Sequence, residues 1–397
     1  MYYITVKQPP MFHQMTLDEF LFETDYHPQV INWNTTNTRT YEMRSISSKF
    51  TDRVNAERLI YTLRQFNNTY EELRLKPRKD LYREFHIPKK SGGLRKIDAP
   101  KPELMDALRR LKTIFEEDFC TDTNGAQTRA LYHTSAFAYI RQRSTIDAVK
   151  RHQKNESKWF GKYDLSNFFG STTQEFVMKM FSMVFPFSEV VKAQGGQAEL
   201  SKALELAFLD GGLPQGTPVS PLITNIMMIP VDYKLANAFR DFRFTNADGE
   251  VVQQRFVYTR YADDFLISSK YAFSFREVEK FIVDTLKSFE APFTIKSEKT
   301  RYGSSAGRNW NLGIMLNKDN NLTIGHKKKR QFQAMLSSYV MDKKSGTEWD
   351  KNDIQVMEGY RNYYRMIEGE TIDKIVEHIG QKFNVNIVRM IKEDLRA

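Results

Sequence analysis

Two adjacent acidic residues, Asp263 and Asp264, lie between two mainly apolar segments within Phe256–Ser269. The apolar segments on either side predict two short strands that meet in a hairpin turn at Asp263-Asp264. Neighbouring strand side chains point to opposite faces, so both carboxylates serve one site only if the turn twists them together. Two buried like charges are costly, and divalent cations are the usual remedy. The alternative is an ordinary acidic β-turn, and the tetrapeptide Tyr-Ala-Asp-Asp alone does not exclude it.

A third carboxylate, Asp164, ends an apolar strand predicted at Trp159–Asp164. Taken alone, an aspartate at a strand end is more often a cap than a ligand. Together with Asp263 and Asp264 it supplies the few carboxylates that Mg²⁺ prefers, with positions left open for substrate phosphates. Two such ions about 3.5–4 Å apart would activate a 3′-hydroxyl and stabilise a leaving pyrophosphate.

A loop rich in glycine and proline, residues 212–221, runs into a predicted helix. Gly216 lets the backbone approach a ligand closely, and Gln215 offers an amide to a sugar or base. The N-terminal amides of the following helix point at the same region. A bare Gly/Pro turn is the alternative, but the ten-residue string is highly specific.

A basic hairpin is predicted at residues 86–97, where two strand-like pieces flank a Ser-Gly-Gly turn. It brings four basic residues to one end: Lys89, Lys90, Arg95 and Lys96. A guanidinium and an ammonium can clamp a triphosphate, as phosphoryl transfer requires. Taken alone, the segment is equally well explained as a solvated charged loop.

The predicted strands are few and separated by long insertions, which favours a central antiparallel sheet backed by helices over a doubly wound parallel sheet. The fold class is therefore α+β. The pattern is helical from His326 to the C-terminus, whereas residues 1–80 carry little signal.

Composition narrows the class of protein. The single cysteine, Cys120, excludes a disulfide scaffold and a cysteine-ligated zinc site and suits a reducing cytoplasm. The net charge of +10 indicates a polyanionic partner, although an anionic membrane surface would also attract it. With no long apolar stretch and no signal architecture at the N-terminus, we expect a cytoplasmic protein without membrane contact.

The order of these motifs resembles that of the fingers and palm of reverse transcriptases. Two later segments extend the resemblance to about residues 80–370. Lys296-Ser297-Glu298-Lys299-Thr300 is similar to the next palm motif of these enzymes. Asn311-Leu312-Gly313-Ile314 is similar to their primer-grip strand. The resemblance implies a right-hand polymerase with fingers, an antiparallel-sheet palm and a helical thumb. The implied boundaries are an N-terminal extension at 1–80, fingers at 81–160, a palm at 161–316 with a finger insertion at about 172–212, and a thumb at 317–397.

The branch that the sequence resembles is bacterial. The segments Arg95–Pro100 and Ala136–Ser144 are similar to those of retron, group II intron and defence-associated enzymes. Retron enzymes usually have Val-Thr-Gly near Asn311-Leu312-Gly313, and group II intron proteins continue past the thumb. We therefore expect a compact, stand-alone enzyme of the defence-associated group, with the retron type as an alternative.

The resemblance assigns roles residue by residue. Asp164, Asp263 and Asp264, with the Leu165 carbonyl, would bind two Mg²⁺ ions, for which Mn²⁺ could substitute. Lys89 and Arg95 would contact the incoming triphosphate, and Gln215 would lie near the sugar and template. Lys299 would donate a proton to pyrophosphate. Phe169 would be the steric gate against a ribose 2′-hydroxyl, while Phe168 points into the core.

The predicted thumb interleaves basic and aromatic residues, a pattern that can follow a duplex backbone without reading its sequence. The expected nucleic-acid contacts are Lys327, Lys328, Lys329, Tyr360 and Tyr363. An amphipathic helix with its aromatics in the core explains any one of these residues equally well.

The predicted function is RNA-directed DNA synthesis from dNTPs on an RNA template, with a structured non-coding RNA partner in anti-phage defence. Untemplated or protein-primed synthesis needs the same carboxylates and is the main alternative. A viral-type RNA-dependent RNA polymerase is disfavoured because it usually has Gly-Asp-Asp at the turn, and a silent RNA-binding protein is disfavoured because all three acids are present. Whether the chain forms a homo-oligomer is left open.

Overall fold

The computed structural model of the protein describes residues 56–88, 92–120, 131–245, 249–304 and 313–396. The chain divides into two compact units. Among the described residues, the first unit draws on 1–142, 163–265 and 274–300, and the second on 143–162, 266–273 and 301–397.

Helices account for most of the regular structure. In chain order they are α1 (Ala56–Thr69), α2 (Glu71–Leu75), α3 (Pro102–Glu116), α4 (Thr145–Lys154), α5 (Gln174–Phe181), α6 (Phe187–Lys192), α7 (Gly196–Glu205), α8 (Ser220–Met227), α9 (Ile229–Phe239), α10 (Phe275–Ser288), α11 (His326–Lys344), α12 (Lys351–Phe383) and α13 (Ile387–Arg396). Short 3₁₀ turns lie at Arg78–Leu81, Asp118–Cys120 and Ser297–Lys299.

The strands are short. They are β1 (Tyr82–Pro88), β2 (Leu94–Pro100), β3 (Trp159–Asp164), β4 (Phe242–Thr245), β5 (Val251–Gln254), β6 (Val257–Tyr261), β7 (Asp264–Ser269), β8 (Arg301–Ser304), β9 (Met315–Leu316) and β10 (Leu322–Thr323). Antiparallel two-stranded sheets form from β1 with β2, β4 with β5 and β9 with β10.

The central sheet has four strands in the order β6-β7-β3-β8. Strand β8 pairs antiparallel with β3 in the register Trp159↔Ser304 to Lys162↔Arg301. Next to β7, the Leu165 N–H donates to the Asp263 carbonyl at one end of β3, and the Lys158 N–H donates to the Ser269 carbonyl at the other. Because the residue numbers run in opposite directions along the pair, β3 and β7 are also antiparallel.

Helix α10 shows how the sequence builds the first unit. The Ser274 side chain caps its N-terminus by accepting a hydrogen bond from the Glu277 N–H. Apolar residues then recur at helical spacing, and Val278, Ile282 and Leu286 are buried. An N-capping serine followed by one apolar face therefore accounts for this helix.

The second unit has its own apolar core. Helix α4, strand β3 and the three C-terminal helices all contribute buried residues to it, among them Phe160, Phe332, Leu336, Ile372 and Ile391. Helix α12 is interrupted at Glu368, whose backbone leaves the helical region at φ −144° and ψ 64°. The prediction of helix from His326 onward is confirmed for the described residues.

The antiparallel central sheet with helices around it confirms the α+β class. The proposed insertion at about 172–212 contains helices α5, α6 and α7. All of the proposed domain boundaries, including those of the insertion, stay predictions. In the described part of the chain, no helix combines the length and apolar character that a bilayer crossing requires.

Candidate active site

The acidic turn is a two-residue loop, Ala262-Asp263, between β6 and β7, and Asp264 is the first residue of β7. Ala262 adopts a φ of +56°. A positive φ at the first central residue is usual for glycine in tight hairpins, so an alanine there is strained. The carbonyl of Asp263 accepts a hydrogen bond of 3.0 Å from the Leu165 N–H. The end of β3 is thereby fixed beside the turn.

Asp164 lies at the junction of three segments. Leu165 forms an antiparallel bridge with Ile295, and the Lys296 N–H donates to the Asp164 carbonyl at 2.8 Å. The bridge places two ammonium groups next to the Asp164 carboxylate, Lys296 Nζ at 3.0 Å and Lys299 Nζ at 3.3 Å. The residue is 7% exposed, so these cations compensate a largely buried charge.

Asp164 and Asp263 influence each other electrostatically. Burial raises the pKa of Asp263 above its usual value, and the charge of Asp164 raises it further. The charge of Asp164 also affects the Lys299 ammonium. Burial lowers the pKa of its ammonium, but the attraction of Asp164 outweighs that effect, and the pKa is raised. Lys299 is therefore protonated at neutral pH.

The fit of these residues to a metal ion can be judged from their chemistry. Nowhere in the described ranges do three acidic, histidine or cysteine side chains stand close enough to hold one ion. Asp164 and Asp263 are nevertheless two coupled oxygen donors whose mutual repulsion a hard divalent cation would relieve. The acidic pair thus fits Mg²⁺, with the lysines as its countercharge in the absence of metal.

The two phenylalanines after β3 have different environments. Phe168 is 3% exposed and packs on Phe293, as predicted for a core residue. Phe169 is half-buried, and its ring meets Tyr139 edge to face at 6.3 Å between centroids. Tyr139 has a φ of +61°.

The backbone at Phe169 is pinned to the loop that carries Gln215. The Phe169 carbonyl accepts from the Leu213 N–H at 3.0 Å. A Cβ on Gly212 would lie 2.2 Å from the Gly170 carbonyl oxygen, so the two backbones touch in a way that only glycine permits.

The same loop is joined to the basic hairpin. The Asp98 N–H in β2 donates to the Gln215 carbonyl at 2.8 Å. Gly216 follows with a φ of +120°, and a Cβ there would lie 2.9 Å from both the Asp98 carbonyl oxygen and Ile97 Cγ2. The structure therefore brings together two motifs that are more than 100 positions apart in the sequence.

The hairpin distributes its charges over both faces. Arg95 pairs with Ile87 and Lys96 with His86, so Arg95 and Lys96 project to opposite sides. Lys96 contacts Glu84 at 3.1 Å and Asp98 at 3.2 Å, while Arg95 is exposed. Arg95 and Lys96 are thus neighbours near the turn but lie on opposite faces, and the prediction that all four basic residues share one end stays a prediction. Lys89 and Lys90 lie outside the described residues, as do Asn311 and Leu312.

The three predicted thumb lysines, at the start of α11 in the second unit, differ in their contacts. Lys327 is exposed. Lys328 Nζ donates to the Gly313 carbonyl at 3.1 Å, and Lys329 Nζ contacts Glu368 at 2.7 Å. Intramolecular contacts therefore hold two of the three ammonium groups.

The predicted aromatic contacts lie on α12. Tyr360 is 40% exposed and stacks on Tyr364 at 5.5 Å, whereas Tyr363 is half-buried. Arg361 is buried and bonded to Glu358, so it belongs to the packing of the helix. A role of Tyr360 and Tyr363 in nucleic-acid binding stays a prediction.

Sequence reasoning missed two residues of this site. Lys296 contacts Asp164 more closely than Lys299 does, and its position three residues earlier in the same motif was the available signal. Tyr139 lies in a segment that the resemblance includes. Desolvation of its phenol, and then the charge of Asp263, raise the pKa of Tyr139, which places it near the acidic turn.

Comparison with known protein families identifies this arrangement. The family model described as "Reverse transcriptase (RNA-dependent DNA polymerase)" matches residues 87–334, more than half of the chain. The chain belongs to the reverse transcriptase family. The matched range contains the basic hairpin from Ile87 onward, Phe169, the loop, the acidic turn and Lys299. The enzyme is an RNA-directed DNA polymerase.

Several of the relatives that the chain matches are retron enzymes. The chain is 24% identical over 331 residues to the retron Ec83 reverse transcriptase of Escherichia coli, covering 79% of this chain and 90% of that protein. It is 25% identical over 304 residues to the retron Ec73 reverse transcriptase of the same species, and the alignment covers 74% of this chain and 85% of that protein. The retron Mx162 reverse transcriptase of Myxococcus xanthus is 30% identical over 203 residues, with 47% and 35% covered. The expected bacterial reverse transcriptase is confirmed, and these relatives support the retron type, which was the alternative; membership of the defence-associated group stays a prediction.

Among solved structures, apo telomerase from Candida tropicalis aligns with a TM-score of 0.44 and 11% identity, covering 79% of this chain and 62% of that chain. Telomerase from Candida albicans in complex with a fragment of telomeric RNA aligns with a TM-score of 0.43 and 11% identity, with 77% and 58% covered. This reverse transcriptase spans less than two thirds of either telomerase chain.

Proposed function

We propose that this reverse transcriptase makes cDNA by two-metal nucleotidyl transfer centred on Asp164, Asp263 and Asp264. The observation that carries the proposal is the convergence of Asp164 and Asp263. The Leu165 N–H fixes the turn beside β3, and burial together with the Asp164 charge raises the pKa of Asp263. Two partly buried acids held this close form a site in which a divalent cation is stabilising.

Mg²⁺, with Mn²⁺ as an alternative, would be held by Asp164 and Asp263, joined by Asp264 and the Leu165 carbonyl as the family resemblance implies. When bound, the metal supplies charge stabilisation for the attacking and leaving oxygens of the transfer. The protein supplies the frame: β3 carries Asp164, the hairpin carries the other two acids, and the bond from Leu165 to Asp263 joins the two.

The incoming dNTP would lie between the loop and the hairpin. Arg95, and Lys89 by resemblance, would contact the triphosphate, and Gln215 would lie near the sugar and template. The hydrogen bond from Asp98 to Gln215 supports this arrangement, since it links the strand that carries Arg95 to the loop. Phe169 would occlude a 2′-hydroxyl, with Tyr139 packed against its ring.

Lys299 is suited to protonate the departing pyrophosphate. Its Nζ lies 3.3 Å from Asp164, and the pKa of the ammonium is raised, so the proton is present at neutral pH. Proton donation by a positioned side chain assists the leaving group in the transition state. Lys296 contacts the same Asp164 oxygen, Oδ1, at 3.0 Å and helps to orient the carboxylate.

The partners follow from the activity. An RNA template, the DNA product and dNTPs are the substrates and product, and the net charge of +10 suits a polyanionic duplex. Lys327, Lys328, Lys329, Tyr360 and Tyr363 of the second unit would contact the duplex backbone. Lys327 and Tyr360 have the exposure that such contacts need.

The test is nucleotide incorporation by purified Asp263→Asn and Asp264→Asn enzymes on a primed RNA template. Each should lose at least about 10³-fold in rate, a barrier increase of about 4 kcal/mol, because an amide cannot replace the charge that holds the metal. Asp284→Asn, at an exposed position of α10, is the matched control and should retain wild-type activity. Wild-type incorporation by Asp263→Asn would reject the site.

The same assay separates templated from untemplated synthesis. Omitting the RNA, or changing its sequence, should abolish or change the product of a templated enzyme. Product of unchanged sequence without RNA would favour the untemplated or protein-primed alternative, which uses the same acids.

We further propose a structured non-coding RNA as the natural template and a role in anti-phage defence, supported by the resemblance to defence-associated bacterial enzymes. RNA that co-purifies with the protein should be one defined species when sequenced. Cells with the wild-type gene and its native flanking DNA should plate phage less efficiently than cells with Asp263→Asn. Equal plating across a panel of phages would reject the defence role and leave the enzymatic assignment intact.

A further inference from the structure

A buried ion pair lies directly behind the acidic turn. Arg260 in β6 and Asp232 in α9 are both fully buried. Arg260 Nε donates to Asp232 Oδ1 at 2.8 Å, and its Nη2 donates to Oδ2 at 2.8 Å, so the pair is bidentate. The Tyr258 hydroxyl donates to the same carboxylate at 2.7 Å. This pair takes no part in the mechanism proposed above.

The other donors of the guanidinium reach the acidic turn and its neighbour. Arg260 Nη1 donates to the Ala262 carbonyl at 3.2 Å, next to Asp263. Its Nη2 also donates to the Asn225 side-chain oxygen at 3.3 Å. The Asn225 amide in turn donates to the Ala138 carbonyl at 2.9 Å, immediately before Tyr139.

The backbone of Arg260 contacts the same neighbouring segment. Its N–H donates to the Ser135 carbonyl at 2.7 Å, and its carbonyl accepts from the Phe137 N–H at 2.9 Å. Residues 135–138 thus extend along β6 and lead to Tyr139, whose ring packs on Phe169. Arg260 is connected both to the turn that carries Asp263 and to the segment that packs on the gate.

The turn needs such an anchor. Ala262 has the left-handed φ that glycine would adopt without strain, so the local sequence does not by itself favour this conformation. One side of the turn is held by Leu165 through the Asp263 carbonyl, and the other by Arg260 through the Ala262 carbonyl.

We infer that Arg260 is a positioning residue, which fixes the acidic turn relative to the Tyr139–Phe169 pair through the Ala262 carbonyl and Asn225. The inference rests on the proposed function of the turn. Arg260 touches no reacting atom. It holds Asp263 close to Asp164 at the end of β3. Through Asn225 it also holds the segment that leads to Tyr139, whose ring packs on the proposed sugar gate, Phe169.

A purely structural role makes a different prediction. A buried ion pair contributes little net stability compared with packed apolar residues, so stability alone does not require an arginine here. The planar fork can bond Asp232 twice and still reach Ala262 and Asn225. A lysine keeps the charge opposite Asp232 but cannot make all these bonds.

The decisive experiment compares Arg260→Lys with Val278→Ala, a cavity variant in the buried face of α10. Both are assayed well below their melting temperatures. Arg260→Lys should lower kcat at least tenfold with the KM for dNTP within twofold, and should raise the ribonucleotide-to-deoxynucleotide ratio. Val278→Ala should lose stability without either change. A kcat and a ratio for Arg260→Lys equal to those of Val278→Ala would overturn the inference.

Asn225→Ala provides a second test in case Arg260→Lys does not fold, because this variant keeps both hydrogen bonds between Arg260 and Asp232. It should lower kcat about threefold and shift the nucleotide ratio in the same direction, and wild-type values for both would overturn the inference. Asp263→Asn distinguishes a failure of the proposed catalytic function from a failure of the positioning role of Arg260. If that variant stays active, the proposed function fails. If it is inactive while Arg260→Lys behaves like Val278→Ala, only the positioning role fails.

Discussion

The contact between Gly216 and strand β2 gives the sharpest prediction on nucleotide binding. Substituting alanine at Gly216 places a methyl group 2.9 Å from the Asp98 carbonyl oxygen and from Ile97 Cγ2, at a φ of +120°. The loop and the hairpin must then separate, and the 2.8 Å hydrogen bond from Asp98 to Gln215 is stretched. We expect Arg95 to move with its strand away from the nucleotide.

The magnitude follows from a matched control. Gly211 also has a positive φ, +81°, but a Cβ there meets nothing within 4 Å. Both alanine variants carry backbone strain of about 1–2 kcal/mol. Only Gly216→Ala adds overpacking, about 1–3 kcal/mol, and a weakened hydrogen bond, about 1 kcal/mol. For a chain of 397 residues, the difference of about 2–4 kcal/mol corresponds to roughly 2–5 °C in melting temperature.

Thermal unfolding measures the loss of stability, and steady-state kinetics measure the loss of dNTP binding. Gly216→Ala should melt lower than Gly211→Ala and should raise the KM for dNTP about fivefold or more, with a smaller effect on kcat, as expected for lost substrate binding. Equal melting temperatures and equal KM values for the two variants would refute the argument that the loop and the hairpin act as one nucleotide-binding unit.

Three further predictions test other parts of the enzyme. Phe169→Ala should raise the ratio of ribonucleotide to deoxynucleotide incorporation, whereas Phe168→Leu, in the core beside it, should lower the melting temperature and leave the ratio unchanged. Lys327→Ala should reduce the log–log salt slope of RNA binding by up to about one unit, and Lys329→Ala should change stability more than the slope, because Glu368 holds its ammonium. Desolvation lowers the pKa of buried His152 to about 3. As pH falls from about 6.5 toward 3, the unfolded chain binds a proton at this histidine that the folded chain does not, so the fold should lose stability. Urea unfolding should show the free energy of unfolding decreasing over this pH range, and His152→Gln should make that decrease smaller.

Local sequence patterns predicted the parts of the site that are local in structure. Apolar runs on both sides of Asp263-Asp264 gave the hairpin, and the strand before Asp164 was also correct. The turn itself is one residue earlier than expected, at Ala262-Asp263. The tight loop lets Asp264 start the next strand, and this register could not be obtained from hydrophobicity alone.

Contacts between distant segments were not predictable in the same way. Asp232 lies in a largely buried helix and Arg260 in a largely buried strand, and the sequence does not show that the two charges pair. The placement of Lys96 opposite to Arg95 follows from the period of two in a strand, whereas their cross-strand partners, His86 and Ile87, depend on the register of the hairpin. The bond from Asp98 to Gln215 depends on tertiary packing of the loop.

The backbone contact between Gly170 and Gly212 has a consequence for how this enzyme can evolve. There is no room for a side chain at Gly212, and the Phe169 carbonyl accepts a hydrogen bond from the Leu213 N–H, so the main chain at Phe169 is held against the loop. If Phe169 is the gate, sugar preference can change through the side chain at that position but not through remodelling of the loop. Adaptation toward ribonucleotides would then need a single codon change, and descendants of such a change would retain both glycines.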